Sequence, residues 1–473
     1  MPMEILLNDH RPYTYRNANF SKSFNSFFSN SPLPSEMINE NDFMQDNIDT
    51  LHSTVSGYTD SSSALITGVK YLSIFSTVMN LLNSLLGAGV LGVANSFTFC
   101  GFIPSVLTIT VVAYLSFVSA WMVIKLQIKT GEESFASMAK LTMGRFGSFL
   151  LIFATMMFCY ACDTAYVIIG ANTVQTWINM FLPEESTIKG GTWKYMLVVV
   201  IYSCCVPLAL TFLKNMRFLS SFSTLSVVAL GVFVGALIIK GIIILPTDGI
   251  SPTASIGSIS ISFFNALAVY SLTFSLSVIV LPIIKPMSPD LKKRTITLSI
   301  AFVLCYLIVL IPSVIGYLIF GKEVNPILLD SFPATDLMIT VVRVAFFIII
   351  NASYPVMSLT LADIFSKLFY SEESSLKLPF CKRFSVIFAI NILPLCFALF
   401  LPNVRPALSI GGAFGGCLCN FIFPPMIWFR LSKEKWYHWS NILCLIFAGF
   451  GVLSIVIATY QSVVDAIHEF QKL

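Results

Sequence analysis

Eleven runs of mostly apolar residues follow one another along the chain, and each is long enough to cross a bilayer, which takes about 20 helical residues. Because lipid offers the backbone no hydrogen-bond partners, such runs fold as helices. Only 11% of the 473 residues are charged, whereas about 25% of the residues in a soluble domain are charged. The sequence therefore predicts an all-α polytopic membrane protein embedded in the lipid bilayer. Its eleven transmembrane helices are expected over residues 70–97, 102–125, 147–181, 193–213, 217–244, 258–284, 294–320, 335–368, 384–402, 406–429 and 438–465.

The Lys and Arg residues are concentrated in alternate loops. The loops after the second, fourth, sixth, eighth and tenth runs hold most of them, and the opposite loops hold few. Loops rich in positive charge stay in the cytosol. With eleven spans, we expect a cytosolic N-terminus and an extracellular or lumenal C-terminus, in the plasma membrane or in a vacuolar or lysosomal membrane. The basic residues of these loops are Lys125, Lys129, Lys140, Arg145, Lys214, Arg217, Lys285, Lys292, Lys293, Arg294, Lys367, Lys377, Lys382, Arg383, Arg430, Lys433 and Lys435.

Residues 1–68 differ in composition from the rest of the chain. They are rich in Asn, Ser, Phe and acidic residues, and they lack the apolar core of a cleavable signal peptide. We expect a disordered cytosolic tail that can bind a cytosolic partner, followed by a transmembrane domain over residues 69–473. A tail that acts only as a passive leader is the other interpretation.

The polar residues of the apolar runs do not have the pattern of an enzyme site. The spacing of Cys159 and Cys162 is found in zinc and redox sites, but the flanking residues are apolar and no second Cys or His pair completes a site. The four His residues lie in the tail or near the ends of the last run, at positions 10, 52, 438 and 468. We therefore expect no enzymatic activity, no cofactor and no nucleic-acid partner.

Glycines and amides interrupt the first apolar run, NLLNSLLGAGVLGVANS, between Asn80 and Ser96. Glycine weakens a helix, and exposed backbone groups inside a membrane are tolerated where they line a cavity. A break at residues 86–90 would release N–H groups that suit a carboxylate and carbonyl groups that suit a cation or an ammonium group. A zwitterionic amino acid carries both charges. The candidate substrate contacts here are Gly87, Ala88, Gly89, Val90 and Leu91.

The sixth run, FFNALAVYSLTFSLSVIVLPIIKP, contains a second polar interruption, followed by Pro282. Transporters built from inverted repeats place such interruptions in matching helices of the two halves. Runs one to five and six to ten would then form two five-helix halves, with the eleventh helix at the periphery. Alternatively, the Ser and Thr hydroxyls bond back to their own helix. The candidate substrate contacts here are Ser271, Thr273, Phe274, Ser275 and Ser277.

Several motifs of this chain resemble those of the amino acid/auxin permease family, especially its sodium-coupled neutral amino acid transporters. They are N-x-L-N-S-x-x-G-A-G-V-L-G in the first run, TFSLSVIVLPI in the sixth, GYLIFGKEVNPILL, VVRVAFFIIINASYPV and LPNVRPALSIGGAFGGCLCNFIFPP. The resemblance covers the chain from about residue 70 to the end. It implies a leucine-transporter-like 5+5 inverted repeat with discontinuous helices one and six. It also implies amino acid transport by alternating access, with Na⁺ or H⁺ as the coupling ion.

The resemblance also implies an ion site between the first and eighth spans. The family's ion-binding Asn falls on Asn83, and its hydroxyl ligand falls on Ser353, so these two residues would be the metal ligands for sodium. Leu86 and Asn351 are further candidates for ion binding. The chain departs from the pattern at Ser277, where several neutral amino acid transporters carry a His followed by Pro, and this puts their substrate range in doubt here.

One acid, Asp163, lies well inside an apolar run, and Tyr166 follows it by one helical turn. A carboxylate within a membrane helix indicates a functional site, since burying its charge is costly. Asp163 is therefore a candidate proton site, or a contact for a cation or cationic substrate. Tyr166 is a candidate substrate contact. A packed Asp bonded to a neighbouring helix explains the same residue equally well.

Three further features have structural interpretations. Lys240 is expected to extend to the membrane interface, and Arg343 to pair with a neighbouring group. The glycines of the tenth run, Gly411, Gly412, Gly415 and Gly416, predict close helix packing.

Two functional hypotheses therefore stand. The first is a secondary active amino acid transporter. The second is an amino acid-sensing transceptor of the same fold, which signals through residues 1–68.

Overall fold

The computed structural model describes residues 71–87, 89–181, 192–212, 216–257, 261–372, 374–400 and 403–470. The expected disordered tail and Ala88 lie outside these residues. The described residues are mainly helical, and no strand occurs among them. The α-helices are α1 Ile74–Leu85, α2 Gly89–Ser96, α3 Phe102–Thr130, α4 Phe135–Phe181, α5 Thr192–Ser203, α6 Ala209–Phe212, α7 Met216–Asp248, α8 Phe263–Thr273, α9 Val280–Ile284, α10 Leu291–Phe320, α11 Leu337–Tyr370, α12 Phe380–Phe400, α13 Val404–Gly411, α14 Phe423–Leu431 and α15 Trp439–Phe470.

Nine helical stretches of the described residues are long and apolar enough to cross a membrane. The bent pair α1 and α2 makes a tenth if the two halves form one span. Helix α8, at 11 residues, is too short alone, but α8 and α9 together cover the expected sixth span. The protein is therefore a multi-pass membrane protein, and the number eleven stays a prediction.

The first helix is interrupted where its glycines predict. Helix α1 ends at Leu85, α2 begins at Gly89, and the two halves are bent by 57°. Leu86 leaves the helical region, with φ −89° and ψ 76°. The N–H of Gly87 donates to the carbonyl of Leu85, only two residues back, at 3.1 Å. The helical ladder, in which each N–H donates four residues back, therefore stops here.

The sixth span is interrupted as well, between Thr273 at the end of α8 and Val280 at the start of α9. Residues 274–279 form tight turns, in which the N–H of Ser275 donates to Leu272 and that of Ile279 donates to Leu276. Each five-helix half of the protein thus begins with a broken helix, as predicted. The eleventh span, α15, packs against the segment Gly412–Ile422 and against α14.

The glycines of the tenth span permit close packing on two sides, in agreement with the expectation from the sequence. They lie at or within the segment Gly412–Ile422, which forms a π-helix between α13 and α14. A side chain at Gly412 would overlap the backbone of α8 at Ala268. One at Gly415 would overlap α4 at Phe158. The tenth span is therefore wedged between α4 and α8, the two helices that flank the site described below.

The two basic residues singled out from the sequence both have partners at the start of α11. Lys240 forms an ion pair with Asp336, the N-cap residue of this helix, and its extension to the membrane interface stays a prediction. The guanidinium group of Arg343 donates to the carbonyls of Leu329 and Phe332, at 2.8 and 3.0 Å. Both contacts fix the start of α11 relative to its neighbours, because Asp336 and residues 329–332 precede this helix.

Candidate functional site

The two helix breaks meet around a central pocket of about 20 Å³. The break between α1 and α2 forms one wall and the break after α8 forms the opposite wall. Helix α4 and one residue of α11 close the remaining sides. The lining residues are Ser84, Leu85, Gly87, Gly89, Phe158, Cys162, Tyr166, Leu272, Thr273, Ser275 and Met357.

Five of the predicted substrate contacts line this pocket: Gly87, Gly89, Tyr166, Thr273 and Ser275. A Cβ atom at Gly87 would overlap the hydroxyl of Tyr166, and one at Gly89 would overlap the hydroxyl of Thr273. Both positions thus require glycine because side chains of α4 and α8 approach the broken backbone. Ser275 is 2% exposed, and its hydroxyl has no hydrogen-bond partner among the described residues.

Two predicted hydroxyl contacts are used elsewhere. The hydroxyl of Ser271 donates to the carbonyl of Leu267 at 2.7 Å, which is the back-bonding alternative that the sequence left open. The hydroxyl of Ser277 pairs with that of Ser119 on α3, also at 2.7 Å. Neither residue lines the pocket, whereas Thr273, whose hydroxyl also bonds back to its own helix at the carbonyl of Val269, does.

Three other predicted contacts do not line the pocket either. Val90 and Leu91 are on α2 and are buried among other side chains. The carbonyl of Phe274 accepts a bond from the side-chain amide of Asn420 at 3.5 Å. Ala88, at the centre of the first break, lies outside the described residues.

Sequence reasoning missed six residues of the pocket wall. A signal for two of them existed, because Phe158, Cys162 and Tyr166 recur every four residues and therefore share one face of α4. Once Tyr166 is a candidate, this spacing also selects the other two. The residues missed were Ser84, Leu85, Phe158, Cys162, Leu272 and Met357.

The expected ion ligand Ser353 is buried on α11, 3% exposed, and its hydroxyl has no hydrogen-bond partner among the described residues. Other hydroxyls of this helix bond back one turn, as Thr360 does to Val356 and Ser366 does to Ala362. Met357, one turn after Ser353, lines the central pocket beside α1. Ser353 therefore lies on the side of α11 that faces the first helix break.

The other two candidate ion ligands of the first break are close to its start. Asn83 is 5% exposed on α1, one turn before Gly87, and Leu86 is fully buried at the break itself. Asn83 is therefore placed where the helical ladder of α1 ends. A shared ion site of Asn83 and Ser353 stays a prediction.

Asn351 is oriented away from this region. Its side-chain oxygen accepts a bond from the hydroxyl of Tyr202 on α5 at 3.0 Å, and its amide nitrogen donates to Phe347 at 2.7 Å. Residues two apart on a helix point in different directions, so Asn351 and Ser353 do not share a face of α11. The structure therefore does not bring Asn351 to the expected ion site.

Asp163 is fully buried on α4, and neither carboxylate oxygen has a hydrogen-bond partner among the described residues. Its neighbour Cys162 lines the central pocket, but Asp163 does not. Tyr354 of α11 lies within electrostatic reach of Asp163, and the hydroxyl of Tyr354 donates to Asn391. The carboxyl group is thus isolated beside the pocket, and the alternative of an Asp bonded to a neighbouring helix finds no support.

A larger pocket of about 320 Å³ lies at the face of the bundle where α11 and α13 begin. We call it the Asp330 pocket, and we call this side of the protein the Asp330 face. The opposite face carries the basic loops. No feature of the sequence predicted this pocket. Its lining residues are Asn172, Asn325, Pro326, Ile327, Asp330, Asn403 and Val404.

Two broken helices whose interruptions meet at a pocket inside a bundle of membrane-spanning helices define a membrane transporter of the inverted-repeat type. The family model described as "Transmembrane amino acid transporter protein" matches residues 70–464. The chain belongs to this family, so the resemblance found in the sequence is confirmed and amino acid transport is its function.

Two curated relatives have names that agree with this assignment. Sodium-coupled neutral amino acid symporter 2 of Danio rerio is 24% identical over 422 residues, which cover 83% of this chain and 82% of the relative. Vacuolar amino acid transporter 5 of Schizosaccharomyces pombe is 25% identical over 393 residues, which cover 80% of this chain and 90% of the relative.

A solved structure of the same fold is that of Mhp1, a nucleobase-cation-symport-1 family transporter, in a closed conformation with bromovinylhydantoin bound. The two structures have a TM-score of 0.53 at 12% sequence identity, over 88% of this chain and 96% of that chain. The leucine-transporter-like fold with discontinuous helices one and six is thus confirmed.

Proposed function

We propose that this protein is a cation-coupled symporter that carries amino acids across the membrane by alternating access. One observation above all supports the proposal: the two helix breaks close around a pocket at which Gly87 and Gly89 cannot carry side chains. Backbone groups at such a break can contact a small zwitterion directly. On this proposal the basic face is cytosolic.

The broken first helix would hold the charged ends of the substrate. The N–H groups that begin α2 point toward a carboxylate, which the positive end of the helix also favours. The hydroxyl of Ser275, which has no hydrogen-bond partner in the described part of the chain, supplies another polar contact. The rest of the wall is mostly apolar, with Phe158, Leu272 and Met357. Such a wall suits a neutral side chain better than a charged one.

The pocket must open before it can bind. A volume of about 20 Å³ is close to that needed for a single water molecule, and every amino acid is larger. The described conformation is therefore a closed one, and α1 and α8 must separate from α4 to admit the substrate. Such a movement is what alternating access requires.

Sodium is the first candidate for the coupling ion. Hard cations prefer oxygen ligands, and the amide of Asn83, the hydroxyl of Ser353 and carbonyls near Leu86 would supply them. An ion bound there would link α1 to α11 and stabilise the conformation that binds substrate. The name of the sodium-coupled relative supports this assignment.

A proton is the second candidate, because Asp163 is buried without a partner among the described residues. An ionised carboxylate in such surroundings is costly, whereas the protonated form is not. Uptake and release of a proton at Asp163 would then drive the transport cycle.

One experiment tests both candidates. The purified protein is reconstituted into liposomes, and uptake is measured for each amino acid with sodium and pH gradients imposed separately. Sodium-driven uptake that persists without a pH gradient supports the site at Asn83 and Ser353. Uptake that is unchanged when choline replaces sodium, but follows the pH gradient, supports Asp163. Absence of uptake under every gradient contradicts symport.

A further inference from the structure

We propose that the Asp330 pocket is a second binding site for the charged head group of an amino acid, where a substrate binds before it reaches the central pocket. This inference rests on the function of the protein as an amino acid carrier. The Asp330 pocket is separate from the central pocket that the helix breaks form. The volume, the position and the side-chain chemistry of the pocket each support it.

The volume of the Asp330 pocket matches that of a site for small molecules. At about 320 Å³, it falls at the lower end of the range of ligand sites, about 300–1,000 Å³. A whole amino acid fits within it, whereas none fits within the central pocket in the same conformation.

The Asp330 pocket lies directly over α2, the second half of the broken helix. A side chain at Gly92 would overlap Leu408 and would come within 4.0 Å of the carbonyl of Pro326, which lines the pocket. The amide of Asn95, near the end of α2, donates to the carbonyl of Val324 at 2.6 Å. The wall of the Asp330 pocket therefore packs against α2, the helix whose other end forms the central pocket.

Two side-chain amides line the pocket with their oxygen atoms already engaged. The oxygen of Asn172 accepts a bond from the hydroxyl of Tyr195 at 2.8 Å. The oxygen of Asn403 accepts a bond from the backbone N–H of Arg405 at 3.1 Å, where it caps α13. With both oxygens engaged, the NH₂ group of each amide is the part that remains available to bind a ligand. Such donors suit the carboxylate of an amino acid.

The carboxylate of Asp330 supplies the complementary acceptor for an ammonium group. Asp330 is half-buried in the turn Leu328–Ser331, which the guanidinium group of Arg343 holds through the carbonyl of Leu329. Burial raises the pKa of Asp330 to about 6, although the charge of Arg343 opposes the rise. Among the described residues, Tyr195 is a further titratable group within electrostatic reach of Asp330, and α2 carries none.

The titration of Asp330 makes the affinity of the Asp330 pocket for an amino acid depend on pH. Above a pH of about 6 the carboxylate is ionised and attracts the ammonium group. Below this pH it gains a proton and loses the attraction. Affinity at the Asp330 face therefore falls as that side is acidified. The effect is opposite to that of proton coupling, in which acid on the side of entry promotes uptake.

The first arm of the test measures uptake of a uniformly ¹⁴C-labelled mixture of the protein amino acids into proteoliposomes of one orientation, with the Asp330 face outward. In the wild type, the half-saturating concentration should rise as the external pH falls from about 7.5 to about 5.5. Asp330→Asn should raise it about tenfold at the higher pH, the value of one charged hydrogen bond, and should abolish its pH dependence. Asp330→Glu should retain the pH dependence.

Glu323→Gln is the matched control, because Glu323 is an exposed carboxylate in the same loop and does not line the pocket. It removes the same charge from the same face of the protein and should leave the half-saturating concentration at the wild-type value. Equal half-saturating concentrations in Asp330→Asn and the wild type at the higher pH would overturn the proposal.

The second arm separates this proposal from symport itself. Binding of the same ¹⁴C mixture to the purified full-length protein is measured in Gly89→Val, in which the central pocket is blocked. Binding that remains should be lost on adding Asp330→Asn and kept on adding Glu323→Gln. No remaining binding, or binding insensitive to Asp330→Asn, excludes the second site. Absence of uptake in the wild type would contradict symport alone, since this arm does not need transport.

Discussion

At the scale of single residues, Gly87 and Gly89 were identifiable from the sequence because glycine weakens a helix wherever it occurs. The sequence did not show why each must be glycine, since the reason depends on Tyr166 and Thr273, which lie on other helices. Glycine substitutions therefore test the central pocket most directly.

Gly89→Val is expected to abolish amino acid binding at the central pocket, because its side chain would occupy the position of the Thr273 hydroxyl. Gly235→Val is the control, since Gly235 lies within α7 and has open space around its Cβ position. Binding is measured to the purified proteins in the Asp330→Asn background, so that binding at the Asp330 pocket does not mask the loss, together with their elution as single species. Wild-type affinity in a folded Gly89→Val protein would exclude the break as the substrate site.

Asp163→Asn tests the isolated carboxyl group. If Asp163 carries the coupling proton, maximal uptake by the variant at saturating amino acid should no longer be stimulated by external acid, because the amide cannot titrate. Asp363→Asn is the control, since Asp363 on α11 already accepts a bond from the N–H of Ser375 at 2.7 Å. A pH profile identical to that of the wild type would make Asp163 a packing residue.

At the scale of elements, both interrupted helices were predictable and their fine structure was not. A cluster of Ser and Thr in an apolar run indicates an interruption, but each hydroxyl can bond to its own helix, to a neighbour or to a ligand. The hydroxyl of Ser271 bonds to its own helix, and that of Ser277 bonds to Ser119 on α3. The hydroxyl of Ser275 has no partner among the described residues and remains available to a ligand. Their choice depends on how α3 and the tenth span pack, which local sequence does not encode.

Ser277→Ala tests the packing of the second break. It removes the bond to Ser119 and is expected to cost about 1 kcal/mol of stability, the usual value of a buried hydrogen bond, with little effect on substrate affinity. The thermal unfolding midpoint is measured for Ser277→Ala, Ser119→Ala and the double variant. If the hydroxyls act on each other, the double variant loses less than the sum of the single losses. Additive losses would contradict the pairing.

At the scale of the whole molecule, the pattern of apolar runs and interruptions predicted two five-helix halves, and the resemblance to the amino acid/auxin permease family implied the leucine-transporter-like fold. The sequence did not predict which side chains contact each other between distant segments of the chain. Asn351 illustrates this, because its sequence position beside Ser353 suggested a shared site, whereas its bond to Tyr202 directs it toward α5. The Asp330 pocket was likewise invisible, since its lining residues come from three distant segments of the chain.

On the sodium proposal, coupling is a property of the whole molecule, because an ion between α1 and α11 would join the broken helix to a helix that does not break. Truncating a ligand should weaken the ion first and the substrate second, through the shared conformation. Asn83→Ala and Ser353→Ala are each expected to raise the sodium concentration for half-maximal uptake about tenfold. Ser353→Thr keeps the hydroxyl and should remain close to the wild type.

The matched control for this prediction is Ser366→Ala, on the same helix as Ser353. Its hydroxyl is equally buried but already bonds back to the carbonyl of Ala362 at 2.6 Å, so its loss should leave the sodium dependence unchanged. Saturating sodium should restore most uptake in Ser353→Ala, because the conformation that binds substrate is then populated again. If Ser353→Ala and Ser366→Ala have the same sodium dependence, no ion links α1 to α11 through Ser353, and coupling must depend on another group.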